Sequence, residues 1–255
     1  MRPYPLLGVC FALLCGLAPL RAEKITVAAA ANFTYALDAL NAAFRKAQPD
    51  IEVVTLTGAS GSLFAQIQHG APIDVFLSAD LDYPKKLIQA GGADASTLAT
   101  FATGRLVLWT TRSQLVFTDL SSALDDPRLR HLAIANPKTA PYGRAAQEVL
   151  LALKRWDDLA PRLVIGENIS QTAQFVETGN ADAGFVALSF VLSPKLKDKG
   201  RYLEIPASLH APLEHGAVLT TRGATGTAAR RYLLFLRSPE ARAVLQSQGY
   251  GVPAQ

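Results

Sequence analysis

The segment Thr57-Gly58-Ala59-Ser60-Gly61-Ser62-Leu63 sets two hydroxyls among residues small enough for a ligand to reach the backbone. A P-loop would follow its glycines with Lys and Ser or Thr, and Leu63-Phe64 stands there instead, so nucleotide chemistry is excluded. A nucleophile elbow needs Gly-x-Ser-x-Gly, whereas Gly58-Ala59-Ser60-Gly61-Ser62 ends on serine. Two readings remain: hydroxyl and N–H donors facing an anion, or a plain Gly/Ser turn. Three more segments have the same character. In Ala30-Ala31-Asn32-Phe33-Thr34, Asn32 stands where it can cap a helix or offer its amide to a ligand. In Pro137 to Arg144, Tyr142 either donates its hydroxyl beside a helix start or covers an apolar edge. In Glu167-Asn168-Ile169-Ser170-Gln171, Asn168 or Ser170 can cap the helix that follows. Four such turns together predict a pocket for an oxyanion held by hydrogen bonds and helix dipoles.

Other chemistries lack their residues. His69, His131, His210 and His215 show no metal-ligand spacing. His210 and His215 flank Pro212 and are expected in a solvated loop. Asp74 and Asp80 bracket a strand, and no carboxylate pair is placed on a common cleft. Lys195, Lys197 and Lys199 read as a solvated face. A secreted serine hydrolase using Ser60 with His210 or His215 is the enzyme alternative, weakened by the defective elbow.

The turns lie between short β-branched runs and amphipathic stretches. Strands are expected at Ile25–Ala28, Ile51–Thr57, Ile73–Ser78, Leu106–Thr111, Leu132–Ala135, Leu163–Gly166, Ala183–Leu188 and Val218–Thr221. Helices are expected over Phe33–Arg45, Leu63–His69, Tyr83–Ala90, Arg144–Trp156 and Gln171–Glu177, with a last one over Thr225–Gln246, broken or bent at Ser238-Pro239. This alternation predicts an α/β fold with parallel sheets covered on both faces. Its ligands would sit where strand C-termini hand over to helix N-termini. No Pro-rich linker or low-complexity tract separates two domains, so the chain is expected to pass between them through strands. Leu106–Thr111 and Val218–Thr221 are the candidate crossings.

The N-terminus carries an address. Arg2 precedes the apolar run Pro5 to Leu20, and Arg21-Ala22 leads into Glu23-Lys24, which reads as a signal peptide over residues 1–22. A run interrupted by Pro19 falls short of the ~20 residues that a membrane-spanning helix needs. Cys15 raises the alternative of a lipid tether. Cleavage after Ala22 would shorten the 255 residues to 233 and, by removing Arg2 and Arg21, lower the formal net charge from +4 to +2. That charge is no nucleic-acid footprint. Both cysteines, Cys10 and Cys15, leave with the signal, excluding disulfides and thiolate chemistry from the mature chain. Export without cysteine suits a bacterial periplasm.

Lys24 to Phe33 resembles the first motif of the periplasmic molybdate-binding proteins of ABC transporters, and Thr57 to Gln66 resembles their second. Gly70-Ala71-Pro72-Ile73-Asp74-Val75-Phe76-Leu77-Ser78-Ala79-Asp80 is similar to the long run that follows in that family. Asn136-Pro137 with Pro141-Tyr142-Gly143, then Gly184 to Ser189, and finally Tyr250-Gly251 fall in family order. The resemblance implies a two-lobed periplasmic substrate-binding fold of type II-like architecture, with a ligand cleft between the lobes. One lobe would comprise 23–105 and 218–255, the other 106–217. By position, the ligand-binding residues would be Asn32 (serine in many members), Ser60, Tyr142 and, through its backbone N–H, Ile169. Ala187 falls where some members place a ligand tyrosine, so Asn32 and Tyr142 would make up for that donor. The implied ligand is molybdate or tungstate, a bare dianion held through its oxygens, with no cofactor and no metal–protein bond. Such an anion only accepts hydrogen bonds, so donors alone suit it, whereas protonated phosphate also wants an acceptor. The expected partner is an inner-membrane ABC permease, and the protein itself a monomer and not an enzyme. Binding of another anion, such as sulfate or phosphate, is the nearest alternative.

Overall fold

The computed structural model describes residues 22–254. The expected signal peptide, with Cys10 and Cys15, lies outside the described residues apart from Ala22. Among the described residues no helix is long and apolar enough to cross a membrane.

The first stretch alternates strand and helix as the sequence pattern requires: β1 (Glu23–Ala30), α1 (Thr34–Ala47), β2 (Ile51–Gly58), α2 (Ser60–Gln68), β3 (Val75–Leu77) and α3 (Asp82–Gln89). Ala36, Leu37, Leu40 and Phe44 form the buried stripe of α1, at the spacing one helical face demands. After β4 (Ala99–Thr103) the chain enters β5 (Leu106–Thr110), α4 (Leu120–Asp125), β6 (Leu132–Ala135), α5 (Pro141–Ala152), α6 (Trp156–Leu159), β7 (Leu163–Gly166), α7 (Ile169–Glu177), β8 (Ala183–Ala187), α8 (Leu188–Val191) and β9 (Arg201–Glu204). It ends with β10 (Glu214–Leu219), α9 (Thr227–Phe235) and α10 (Pro239–Ser247). The expected last helix is thus two helices. Pro239 cannot continue α9, but it fits the first position of α10, where Ser238 Oγ accepts the Ala241 N–H at 3.2 Å.

Two five-stranded sheets result, ordered β2-β1-β3-β10-β4 and β7-β6-β8-β5-β9. Each is mixed rather than parallel. β1 runs parallel to β2 and β3, while β10 is antiparallel to both β3 and β4. β6 runs parallel to β7 and β8, while β5 is antiparallel to β8 and β9. The antiparallel strands are those entered or left where the chain changes sheet, without an intervening crossover helix to restore direction. That change occurs at Gly104-Arg105 and again between Glu204 and Glu214. The two expected crossings therefore lie inside the sheets: β5 runs between β8 and β9, and Val218 belongs to β10 between β3 and β4. An uninterrupted apolar run without Gly or Pro is what a central strand requires, and a crossing does not.

Just after β1, Phe33 is fully buried among aromatic residues of that strand's sheet and the C-terminal segment. Its ring stacks on Phe101 and Tyr250, each at 5.2 Å, and meets the His215 ring edge-on at 4.9 Å.

Candidate functional site

Four strand-to-helix turns and the segment after β3 converge on one small cavity between the sheets. The free space in it is only about 10 Å³, far below the ~300–1,000 Å³ of sites for drug-sized molecules, so only a compact ligand suits it. The four expected site residues, Asn32, Ser60, Tyr142 and Ile169, all line it. Among the described residues, no Asp, Glu, Lys or Arg does.

Three of the four are held so that they donate. Ser60 begins α2 and is fully buried, and its Oγ accepts the Ala79 N–H at 3.0 Å. With a lone pair occupied in this way, the hydroxyl proton is left for another acceptor. Asn168 caps α7, its Oδ1 taking the N–H groups of Ser170 (2.9 Å) and Gln171 (3.1 Å). Of the first three N–H groups of α7, only that of Ile169 is then uncommitted. In α5 the first position is Pro141, which has no N–H to place, so the first donor of that helix is Tyr142. Gly143 follows because a Cβ there would overlap the Ala135 carbonyl, so glycine is what lets α5 start against the end of β6. The helix N-termini of α2, α5 and α7 all face the cavity and favour negative charge without a cation.

Tyr142 is buried, and among the described residues its hydroxyl forms no hydrogen bond. Burial, with a smaller contribution from Tyr250, pushes its pKa well above the usual phenol range, so it stays a protonated donor. A Cβ on Gly104 would collide with that hydroxyl and lie 2.8 Å from His215 Nε2. Glycine is thus required where the chain first changes sheet.

Asn32 departs from one of its two sequence readings. It sits in a 3₁₀ turn (Ala31–Phe33), and its side chain caps neither that turn nor α1. Instead Nδ2 donates to the Tyr250 hydroxyl at 3.2 Å. Asp80, the carboxylate that follows the lining residue Ala79, is turned away. It accepts from Ser78 Oγ (2.9 Å) and the Tyr83 N–H (3.2 Å), and it pairs with Arg144. Glu167 is exposed and does not line the cavity. Ala187, at the end of β8, is buried and brings no hydroxyl.

His215 corrects the expectation of a solvated loop: it lies on β10, fully buried among aromatic rings. Among the described residues neither ring nitrogen has a partner, and burial lowers its pKa to about 3. Apolar residues two positions away on either side (Leu213, just before β10, and Ala217 within it) were the available signal, and nearby Pro212 obscured it. His210 bonds the Ala211 carbonyl, so the imidazole that a serine nucleophile needs does not meet Ser60. The lysine face is also partly engaged, since Lys195 and Lys199 both bind Glu177, at 2.9 and 2.8 Å.

Contacts between the sheets close the cavity on both rims. On one side the Gly61 N–H donates to the Thr139 carbonyl (2.9 Å) and the Tyr83 hydroxyl to the Lys138 carbonyl (3.1 Å), beside the Arg144–Asp80 pair. On the other, Ser170 Oγ donates to the Ala31 carbonyl (3.2 Å) and lies 3.2 Å from Thr34 Oγ1. The motif residues Tyr250 and Ser189 carried no assigned role in the sequence, yet both hydroxyls bond Asn32.

Residues 25–251 match the family model described as "Bacterial extracellular solute-binding protein". The molybdate-binding protein ModA of Azotobacter vinelandii is 40% identical over 232 residues, covering 91% of each chain. The ModA of Rhodobacter capsulatus is 42% identical over 240 residues, covering 94% of this chain and 93% of the relative. The solved periplasmic molybdate-binding protein of Azotobacter vinelandii superposes with a TM-score of 0.85 at 36% identity, covering 90% of this chain and all of that one. The chain belongs to the family of bacterial extracellular solute-binding proteins, in the group formed by these molybdate-binding members.

Proposed function

We propose that this protein is the periplasmic solute-binding component of an ABC importer for molybdate or tungstate. The observation that carries this reading is the cavity itself: hydroxyl and N–H donors at helix N-termini, with no charged side chain in the lining among the described residues. A tetrahedral dianion without protons can satisfy such donors on every oxygen, and each bond to a charged acceptor is worth roughly 1.5–3 kcal/mol. Asn32, Ser60 and Tyr142 supply side-chain donors in this reading, and Ile169 its N–H. A metal–protein bond has no part in it, because the anion's oxygens meet the protein.

The lobes in this proposal are those expected, 23–105 with 218–255 and the residues between, except that the second boundary moves from 218 to Glu214, where β10 of the first sheet begins, with the hinge where the chain changes sheet. Closure on the anion would present a surface for an inner-membrane permease, and the protein would work as an exported monomer. The family and its relatives are solute-binding proteins, which supports a binding role over an enzymatic one.

Isothermal titration of the purified protein with molybdate, tungstate, sulfate and phosphate at neutral pH tests the reading. Tight binding of molybdate and tungstate, with sulfate and phosphate weaker by at least a hundredfold, is the expected result. Preference for sulfate or phosphate would reassign the cargo, and heat from none of the four would reject the oxyanion reading.

A further inference from the structure

Asn32 is 1% exposed, and its Oδ1 is among the few buried side-chain polar atoms without a partner. Around it three groups are mutually bonded. The Tyr250 hydroxyl donates to the Asn32 carbonyl at 2.6 Å, Ser189 Oγ donates to the same carbonyl at 3.1 Å, and the Tyr250 and Ser189 oxygens are 3.1 Å apart. A phenol has one proton. While Tyr250 spends it on the backbone carbonyl, its oxygen can only accept from the Asn32 side chain, which assigns Nδ2 as the end of the amide that meets it. That leaves Oδ1, an acceptor, as the unpartnered end of a side chain lining the anion cavity.

A half-turn of the amide about its last torsion resolves the conflict without repacking, because its two ends are nearly the same size. The Tyr250 O–H would swing from the carbonyl to Oδ1. Ser189 would keep the carbonyl satisfied, and both N–H groups of Nδ2 would be released toward the cavity. We propose that Tyr250, supported by Ser189, is the positioning residue that sets which end of the Asn32 amide meets the ligand, turned for an oxyanion that carries no proton and unturned for one that does. This rests on the oxyanion reading above. A bare dianion stabilises the turned amide, in which every hydrogen-bonding group of the trio has a partner. An anion bearing a proton can use the unturned Oδ1 as its acceptor. The Tyr250 pKa is raised by burial, so the phenol remains a donor throughout.

The test is a calorimetric cycle on the full chain with sodium molybdate and sodium phosphate as probes, using Tyr250→Phe, Asn32→Ala and the double variant. Tyr250→Phe is expected to weaken molybdate at least tenfold and to narrow the molybdate-to-phosphate ratio. The double variant is expected to bind within about twofold of Asn32→Ala alone, since Tyr250 acts through Asn32. Unchanged molybdate affinity in Tyr250→Phe, or losses that simply multiply in the double variant, would overturn the positioning role. Wild-type protein that binds neither probe would instead reject the oxyanion reading itself, a different outcome from the same titrations. Should Tyr250→Phe fail to fold, the side-chain ¹⁵N–¹H₂ signals of Asn32 in wild-type protein, assigned by their loss in Asn32→Ala, decide the matter. Molybdate must shift both amide protons and phosphate must not, and identical responses to the two anions would overturn the proposal.

Discussion

At the scale of single residues, function turns on which hydrogen-bonding capacity is already used. Ser60 is the clearest case, since its oxygen accepts from Ala79 and only its proton is left for the cavity. Ser60→Ala is therefore expected to weaken molybdate binding by about 1–3 kcal/mol and also to lower thermal stability without ligand, because the buried Ala79 N–H loses its acceptor. Calorimetry together with a melting curve checks both halves, and an unaltered affinity would remove Ser60 from the ligand set. The placement of Ser60 was legible because small residues and hydroxyls between a strand and a helix have few other uses. His215 was not, because proline beside histidine is a loop signal and the strand's burial comes from tertiary packing. Its burial has a measurable consequence. The unfolded chain takes up a proton near pH 6.5, whereas the folded imidazole refuses it down to about pH 3. The stability linked to this group is thus complete above about pH 6.5 and declines by ~1.4 kcal/mol per unit as pH falls toward 3. In His215→Leu the slope of unfolding free energy over that window is expected to be shallower by this amount, measured by urea titration at several pH values. Parallel slopes in the two proteins would refute it.

Among the elements, helix starts matter more than helix bodies. The periodicity of α1 and the interruption at Ser238-Pro239 were legible, since each is a local consequence of side-chain spacing or a missing N–H. The short strands β4 and β9 were not. Ala99–Thr103 carries no β-branched apolar run, and Arg201–Glu204 is an exposed edge, so pairing with a neighbour rather than local preference makes them strands. Direction was equally hidden: β5 and β10 read like any buried strand, and their antiparallel setting follows from where the chain changes sheet. The start of α5 shows what the alternation alone could not give, namely how closely a helix approaches the strand before it. In Gly143→Ala the new methyl would overlap the Ala135 carbonyl, so the first turn of α5 must move and take the Tyr142 N–H with it. A stability loss of roughly 1–3 kcal/mol is expected from overpacking. Molybdate affinity should fall as well, although no ligand atom is removed. Denaturant unfolding and titration on the same preparation would show both, and a variant with wild-type affinity would mean that the start of α5 does not position a donor.

For the whole molecule, the proposed binding and lobe closure would draw on one free energy. Arg144, on α5, pairs with Asp80, which follows β3 in the other sheet, so the ion pair exists only while the two layers are together. Asp80 is buried and fixed by Ser78 and Tyr83, so little side-chain order is lost when the guanidinium arrives. Arg144 is more than a third exposed, which limits the pair to the range of about 0.2–1 kcal/mol found for solvated bridges. That contribution falls on the closed form alone. In the proposed site the anion takes donors from both layers, so a smaller population of the closed form would lower the apparent affinity in proportion. Arg144→Gln should therefore bind molybdate about two- to fivefold more weakly, through faster release, with little change in the melting temperature of the ligand-free protein. Raising ionic strength should weaken wild-type binding more than that of the variant, since the pair is screened only where it exists. Stopped-flow release rates at low and high salt separate this from a direct contact. Equal salt sensitivity in the two proteins would show that the Arg144–Asp80 bridge forms without reference to closure.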